Sequence, residues 1–162
     1  MPALSTSHAG LRRIRLLGLG LVLAALAGLG GCAGASVRWN FDYNQASRQA
    51  EQQGRPVLLY FWDWLSVDRS RMESEVFNDP RVVAEMRRTI NVPLEQGWFP
   101  DLVRKYDVTS VPTLILLAPE GIEQARLQGV PTPEEFLNWL RSALAQPVTT
   151  QPIATRVGPG TA

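Results

Sequence analysis

Only one cysteine, Cys32, and one histidine, His8, occur in the chain, and both stand in or beside an apolar amino-terminal segment. Beyond that segment there is neither thiol nor imidazole. Dithiol exchange needs one attacking thiolate and a second sulfur to resolve the mixed disulfide, so the remainder of the chain cannot carry it out unaided. The same absences remove the common zinc ligands and the base of a Ser-His triad, leaving carboxylates as the only acid–base groups. Lysine is nearly absent too, with Lys105 the sole example. Nor is there an excess of positive charge: with Arg12, Arg13 and Arg15 set aside, thirteen basic groups face fifteen acidic ones. That balance argues against a nucleic-acid partner. The longest apolar run, residues 16–29, is too short to span a bilayer comfortably. No internal repeat is present.

Those three arginines, the apolar run and the small residues Gly30 and Gly31 form the charged, greasy and cleavable regions of an export signal. Leu29-Gly30-Gly31-Cys32 resembles the lipobox of bacterial lipoproteins. The resemblance implies cleavage before Cys32, diacylglycerol on its sulfur and a further palmitate-type acyl chain on the new amino terminus, a two-point anchorage that holds stably. Residues 1–31 then form the signal peptide and 32–38 a lipidated tether. The expected location is the cell envelope, facing the periplasm. Ala33, where an Asp signals inner-membrane retention in some enteric bacteria, favours the outer membrane. The competing reading takes Ala33-Gly34-Ala35 as an A-x-A site whose cleavage releases a soluble periplasmic protein beginning at Ser36.

Residues 39–146 suffice for one domain with a core and not for two. The tail at 147–162 is rich in Pro, Thr and Gly, which predicts disorder. Within the domain, a helix is expected over 41–53, with Asp42 as N-cap and Gly54-Arg55-Pro56 as its stop. The unbroken apolar run at 57–62 predicts a central strand covered on both faces. A helix over 70–77, one over 80–88 capped by Asp79, and a strand over 90–94 follow. Next come a short helix over 100–106, a strand over 113–118 and a hairpin partner over 123–128. The last helix, over 133–145, is capped by Thr132 and carries the apolar stripe Phe136, Leu140, Ala143 and Leu144. A right-handed crossover makes the first two strands parallel.

This order, with Val111-Pro112-Thr113 entering the third strand, resembles the thioredoxin fold, an α/β architecture with a central mixed sheet and helices on both faces. The resemblance covers residues 39–144 and is close to the branch containing the C-terminal thioredoxin-like domain of the bacterial membrane disulfide reductase. It rests on Gly54-Arg55-Pro56 before Val57-Leu58-Leu59-Tyr60-Phe61, on Met72-Glu73 and Val76-Phe77, on Tyr106-Asp107-Val108, on Ser110-Val111-Pro112-Thr113, and on Pro119-Glu120-Gly121 with Gly129. An ungapped match places the family's two cysteines on Ser66 and Arg69 and its tryptophan on Leu65. The motif Ser66-Val67-Asp68-Arg69 therefore departs from the family pattern at the atoms that do its chemistry.

A serine hydroxyl needs a base to become a nucleophile. Asp63 and Asp68 flank Ser66 and could form a carboxylate pair; the plainer reading makes them solvated loop acids, with Asp68 capping the following helix. No catalytic residue, cofactor or metal is expected. Ligand sites of open α/β sheets lie beyond the carboxyl ends of the parallel strands. Trp64, Trp98 and Phe99 occupy those loops, and the resemblance implies that Val111, before a cis Pro112, pairs with an extended substrate peptide. These five are the peptide-binding candidates; their structural alternatives are lone surface aromatics and a proline kept for its bend. Trp62 is expected in the core, and Trp39 to pack the amino-terminal segment on the sheet. The expected function is a membrane-anchored extracytoplasmic module that lacks the redox dithiol and binds a protein or peptide. The alternatives are a thiol-disulfide oxidoreductase acting through a partner's cysteines, or a non-thiol enzyme using Ser66 and nearby carboxylates.

Overall fold

The computed structural model of the protein describes residues 36–146. The expected signal peptide, the expected lipidation site Cys32, and the tail at 147–162 lie outside the described residues. Among those described, no helix is long and apolar enough to cross a membrane.

Helix α1, Tyr43–Gln53, starts where the Asp42 carboxylate accepts the Gln45 amide at 2.9 Å, so Phe41 stays outside the expected helix. It ends at Gly54, whose φ of 61° is left-handed and suits a residue without Cβ. Ala46 and Ala50 form its buried face. Strand β1, Val57–Trp62, is buried at every position. Helix α2, Val67–Arg71, passes without a break into a π-helical turn, Met72–Val76, in which the Phe77 amide donates to the Met72 carbonyl at 2.8 Å. The helix begins three residues before the expected Ser70, because Ser66 rather than Asp68 caps it: the Ser66 hydroxyl accepts the Asp68 amide at 3.2 Å.

Helix α3, Pro80–Met86, starts at Asp79, and strand β2, Ile90–Glu95, follows. Helix α4, Pro100–Lys105, leads to the hairpin of β3, Thr113–Leu117, and β4, Glu123–Gln128. Helix α5, Pro133–Ala145, opens with a capping box in which Thr132 and Glu135 bond one another's backbone amides.

The sheet runs β2-β1-β3-β4, with β1 parallel to β2 and antiparallel to β3, and the hairpin antiparallel. Alternation along β1 divides the core in two. Leu58, Tyr60 and Trp62 pack with the π turn, α3 and α5 on one face. Val57, Leu59 and Phe61 pack with α1 and α4 on the other. The amino-terminal segment docks on the outer edge of β2. Trp39 bridges Asn91 in parallel, the Asn40 amide donates to the Asn91 carbonyl at 2.8 Å, and the Trp39 ring lies 5.2 Å from Phe77 and 6.0 Å from Tyr60. Val37 also packs against this cluster.

Candidate functional site

Strands β1 and β2 are parallel and end side by side, Trp62 opposite Glu95, so the loops that leave them emerge together. Two polar contacts tie these loops. The Gln96 amide donates to the Trp62 carbonyl at 2.9 Å, and the Gln96 side chain donates to Asp63 at 2.5 Å. Asp63 also accepts the Leu65 amide at 2.6 Å. Those two bonds, the backbone one foremost, hold the Asp63 carboxyl below its usual range. Asp63 is therefore a loop brace. Buried Glu95 shapes the second loop by accepting the Trp98 amide at 2.9 Å. Its carboxylate lies 3.1 Å from where a Cβ on Gly97 would stand, so a larger residue there would displace it.

Braced in this way, the loops bring three indoles together. Trp62 and Trp64 meet edge to face with centroids 4.8 Å apart, and Trp64 meets Trp98 at 5.6 Å. Trp62 is buried, whereas Trp64 is 53% and Trp98 66% exposed, so the row climbs from core to surface. Leu65 and Val67 are exposed beside it. Over this row lies the Arg69 guanidinium, 4.2 Å from the Trp62 ring and 4.6 Å from that of Trp64, with its Nε donating to Glu73 at 2.8 Å.

The other sequence candidates divide. Pro112 follows a cis peptide bond from Val111 and is buried. Its carbonyl accepts the Gly129 amide at 2.9 Å. The pairing of Phe61 with Thr113, continued by one step, sets Pro112 beside Trp62 at this same end of the sheet. Neither the amide nor the carbonyl of Val111 bonds another described residue. Its side chain, like that of Phe99, packs on the α1–α4 core rather than joining the indole row.

Ser66 is spent on capping, and among the described residues no side chain is placed to take its proton: Asp63 is bonded to the neighbouring loop, and Asp68 stands 3.8 Å from Arg71 in an exposed ion pair. Asp63 and Asp68 are thus not assembled as an acid–base pair. No group of three metal-ligating side chains occurs among the described residues. Below the row, Tyr60 is buried, with its hydroxyl unpartnered by any described residue. Burial first, then the nearby Glu73 charge, push its ionisation far up, so it stays neutral. The sequence reading missed Gln96 as the loop tie and Arg69 as an indole cover. An acid closing one strand and an amide closing the next is the only signal that could have suggested the first.

Comparison with known proteins agrees with this architecture. The family model described as a thioredoxin-like domain matches residues 43–144. No match is found among curated proteins by sequence. Among solved structures, a thioredoxin from Thermus thermophilus is 29% identical, with a TM-score of 0.62 over 68% of this chain and 88% of that one. A protein described as DsbH oxidoreductase is 21% identical, with a TM-score of 0.61 over 69% and 87%. The oxidised C-terminal domain of Neisseria meningitidis DsbD is 16% identical, with a TM-score of 0.54 over 65% and 99%. With the family match spanning both parallel strands, the hairpin and the cis Val111-Pro112 turn between them, the chain belongs to the thioredoxin-like domain family.

Proposed function

We propose that this protein is an envelope-anchored thioredoxin-like module that has lost the redox dithiol and binds an extended segment of an extracytoplasmic protein. In this reading Ser66 and Arg69 stand where the family's cysteines stand, and Cys32 carries lipid. The observation that carries the proposal is the indole row capped by Arg69 at the sheet end where the Val111 backbone is open. An extended chain can pair with that backbone by strand addition while its side chains rest on Trp64, Trp98, Leu65 and Val67. Arg69 cannot attack a disulfide, and its stacking closes the position to another thiol. This argues for the binding reading over an oxidoreductase that borrows its partner's cysteines.

Photo-crosslinking in native membranes tests it, with the reactive residue at Ser66 and a control at Arg141 on α5. A discrete partner is expected from Ser66 alone, and the purified chain is expected to reduce no model disulfide. Equal or empty capture from both positions would overturn the binding role. Disulfide turnover by the purified chain would restore the oxidoreductase reading.

A further inference from the structure

At the opposite end of β2 from the indole row lies a cleft of about 430 Å³, lined by Arg38, Arg55 and Arg87 over a floor that includes Trp39, Val83 and Met86. No carboxylate lines it. The three cations have different duties. Arg55 is half-buried and donates to the carbonyls of Arg87 at 2.7 Å and Thr89 at 2.8 Å, so it builds the wall. Arg38 and Arg87 are exposed, and among the described residues neither guanidinium has an ion pair or hydrogen-bonded partner. The neighbouring acid, Glu85, is occupied by Arg88 at 2.5 Å and Arg141 at 3.3 Å.

Nor is Arg38 loosely placed. The buried Asn91 side chain donates to its carbonyl at 3.2 Å and to that of Met86 at 3.0 Å, and the Trp39 bridge fixes the next residue. A concave site with two free guanidinia, no carboxylate and a half-buried indole has the chemistry of a phospholipid headgroup site: phosphate on the arginines, glycerol against Trp39.

We infer that this cleft docks the domain on the anionic phospholipid of the bilayer holding its anchor. The inference rests on the lipid at Cys32. From Cys32 to Val37 the chain reaches roughly 20 Å at most, and Arg38 follows directly, so the cleft lies at the tethered end of the domain. An anionic surface attracts cations within a Debye length, about 8 Å at physiological ionic strength. Docked so, β2 carries its far end away from the membrane, and the indole row faces the periplasm rather than the lipid.

The mature chain, purified with its anchor, is placed in nanodiscs of phosphatidylcholine with or without phosphatidylglycerol. An acyl-blocked Cys32 leaves no other thiol in the chain, so a donor fluorophore on Gln52→Cys, near the cleft, or on Val67→Cys, at the indole end, is unique. Energy transfer to headgroup-labelled lipid is expected to be strong from Gln52→Cys, weak from Val67→Cys, dependent on phosphatidylglycerol and lost at high salt. Arg38→Glu/Arg87→Glu should reduce it to the neutral-lipid level, and the charge-matched Arg71→Glu/Arg104→Glu should not. Transfer indifferent to lipid charge, or intact in the first double variant, overturns the inference. So does a signal that follows protein density in the disc, which would assign the cleft to a second copy. If Cys32 itself takes the fluorophore and the chain leaves the disc, the anchoring fails separately. The cleft is then read from co-sedimentation of that chain with phosphatidylglycerol vesicles, where Arg38→Glu/Arg87→Glu must weaken partition by at least about tenfold.

Discussion

A guanidinium lying against two indole faces and bonded to a carboxylate has little rotamer freedom left, and in that state Arg69 is as much a packing element as a charge. At a site open to water such stacking contributes about 0.5–1 kcal/mol, and an exposed ion pair adds less. Arg69→Ala is therefore expected to lower stability in urea unfolding by about 1 kcal/mol and to weaken the near-ultraviolet circular dichroism of the tryptophans. Arg69→Lys should recover only part of either, because an ammonium has no plane to stack. Glu73→Gln should stay within about 0.5 kcal/mol of the parent, since its partner keeps both indoles. Ser66 and Arg69 were visible in the sequence as departures from a motif. The stacking was not, because it depends on the path of the turn between Trp62 and the first turn of α2, which brings Arg69 back over both rings. Trp98 joins the row only because Gln96 and Glu95 shape the loop before it.

Helix starts were the most readable feature of the chain, since each cap is a short-range contract between one side chain and amides two or three residues on. Asp42, Asp79 and Thr132 all cap as their positions imply. The start of α2 was misread because Ser66 and Asp68 are both competent caps, and only the loop's path selects between them. The π-helical turn at Met72–Val76, which buries Met72 and Val76, has no sequence signature. Asp79 has a further consequence. Hydrogen bonding to the Arg81 guanidinium, with that residue's charge and amide, holds its carboxyl down to about 2. A depressed folded pKa means the unfolded chain binds the proton more tightly. The stabilisation is complete above about pH 4 and is lost as pH falls through about 2. Asp79→Asn retains a capping oxygen but has no charge to titrate. Its acid unfolding curve should be shallower than the parent's across that window, with the difference vanishing at the lowest pH; parallel curves would remove Asp79 from the acid response.

Across the whole molecule, the parallel pairing of β1 with β2 and the two-sided core follow from two sequence facts, a buried run too apolar to alternate and a crossover that must be right-handed. That Trp39 packs the amino-terminal segment on the sheet was legible; its line along the edge of β2 and the cationic cleft it helps to close were not, because no local pattern describes that edge. Because β1 is shared by both cores, neither half of the domain can come apart alone. Leu58 points into the core with Phe136 and Leu140, and Leu59 into the core with Ala46, Val92 and Ile115; both are fully buried. Leu58→Ala and Leu59→Ala should each cost about 2–5 kcal/mol, as deletions that leave cavities in rigid surroundings do. Two independent layers would show a biphasic transition in one or both variants. A common strand predicts the opposite: each variant unfolds in urea in a single step, with the tryptophan signal, reporting Trp62, Trp64 and Trp98 at the indole end together with Trp39 and Trp139 on one core, coinciding with far-ultraviolet circular dichroism, reporting the helices on both faces. The candidate site would then have no stability separate from that of the domain, so loss of partner capture in a core variant would follow the unfolded fraction rather than any change at the indoles.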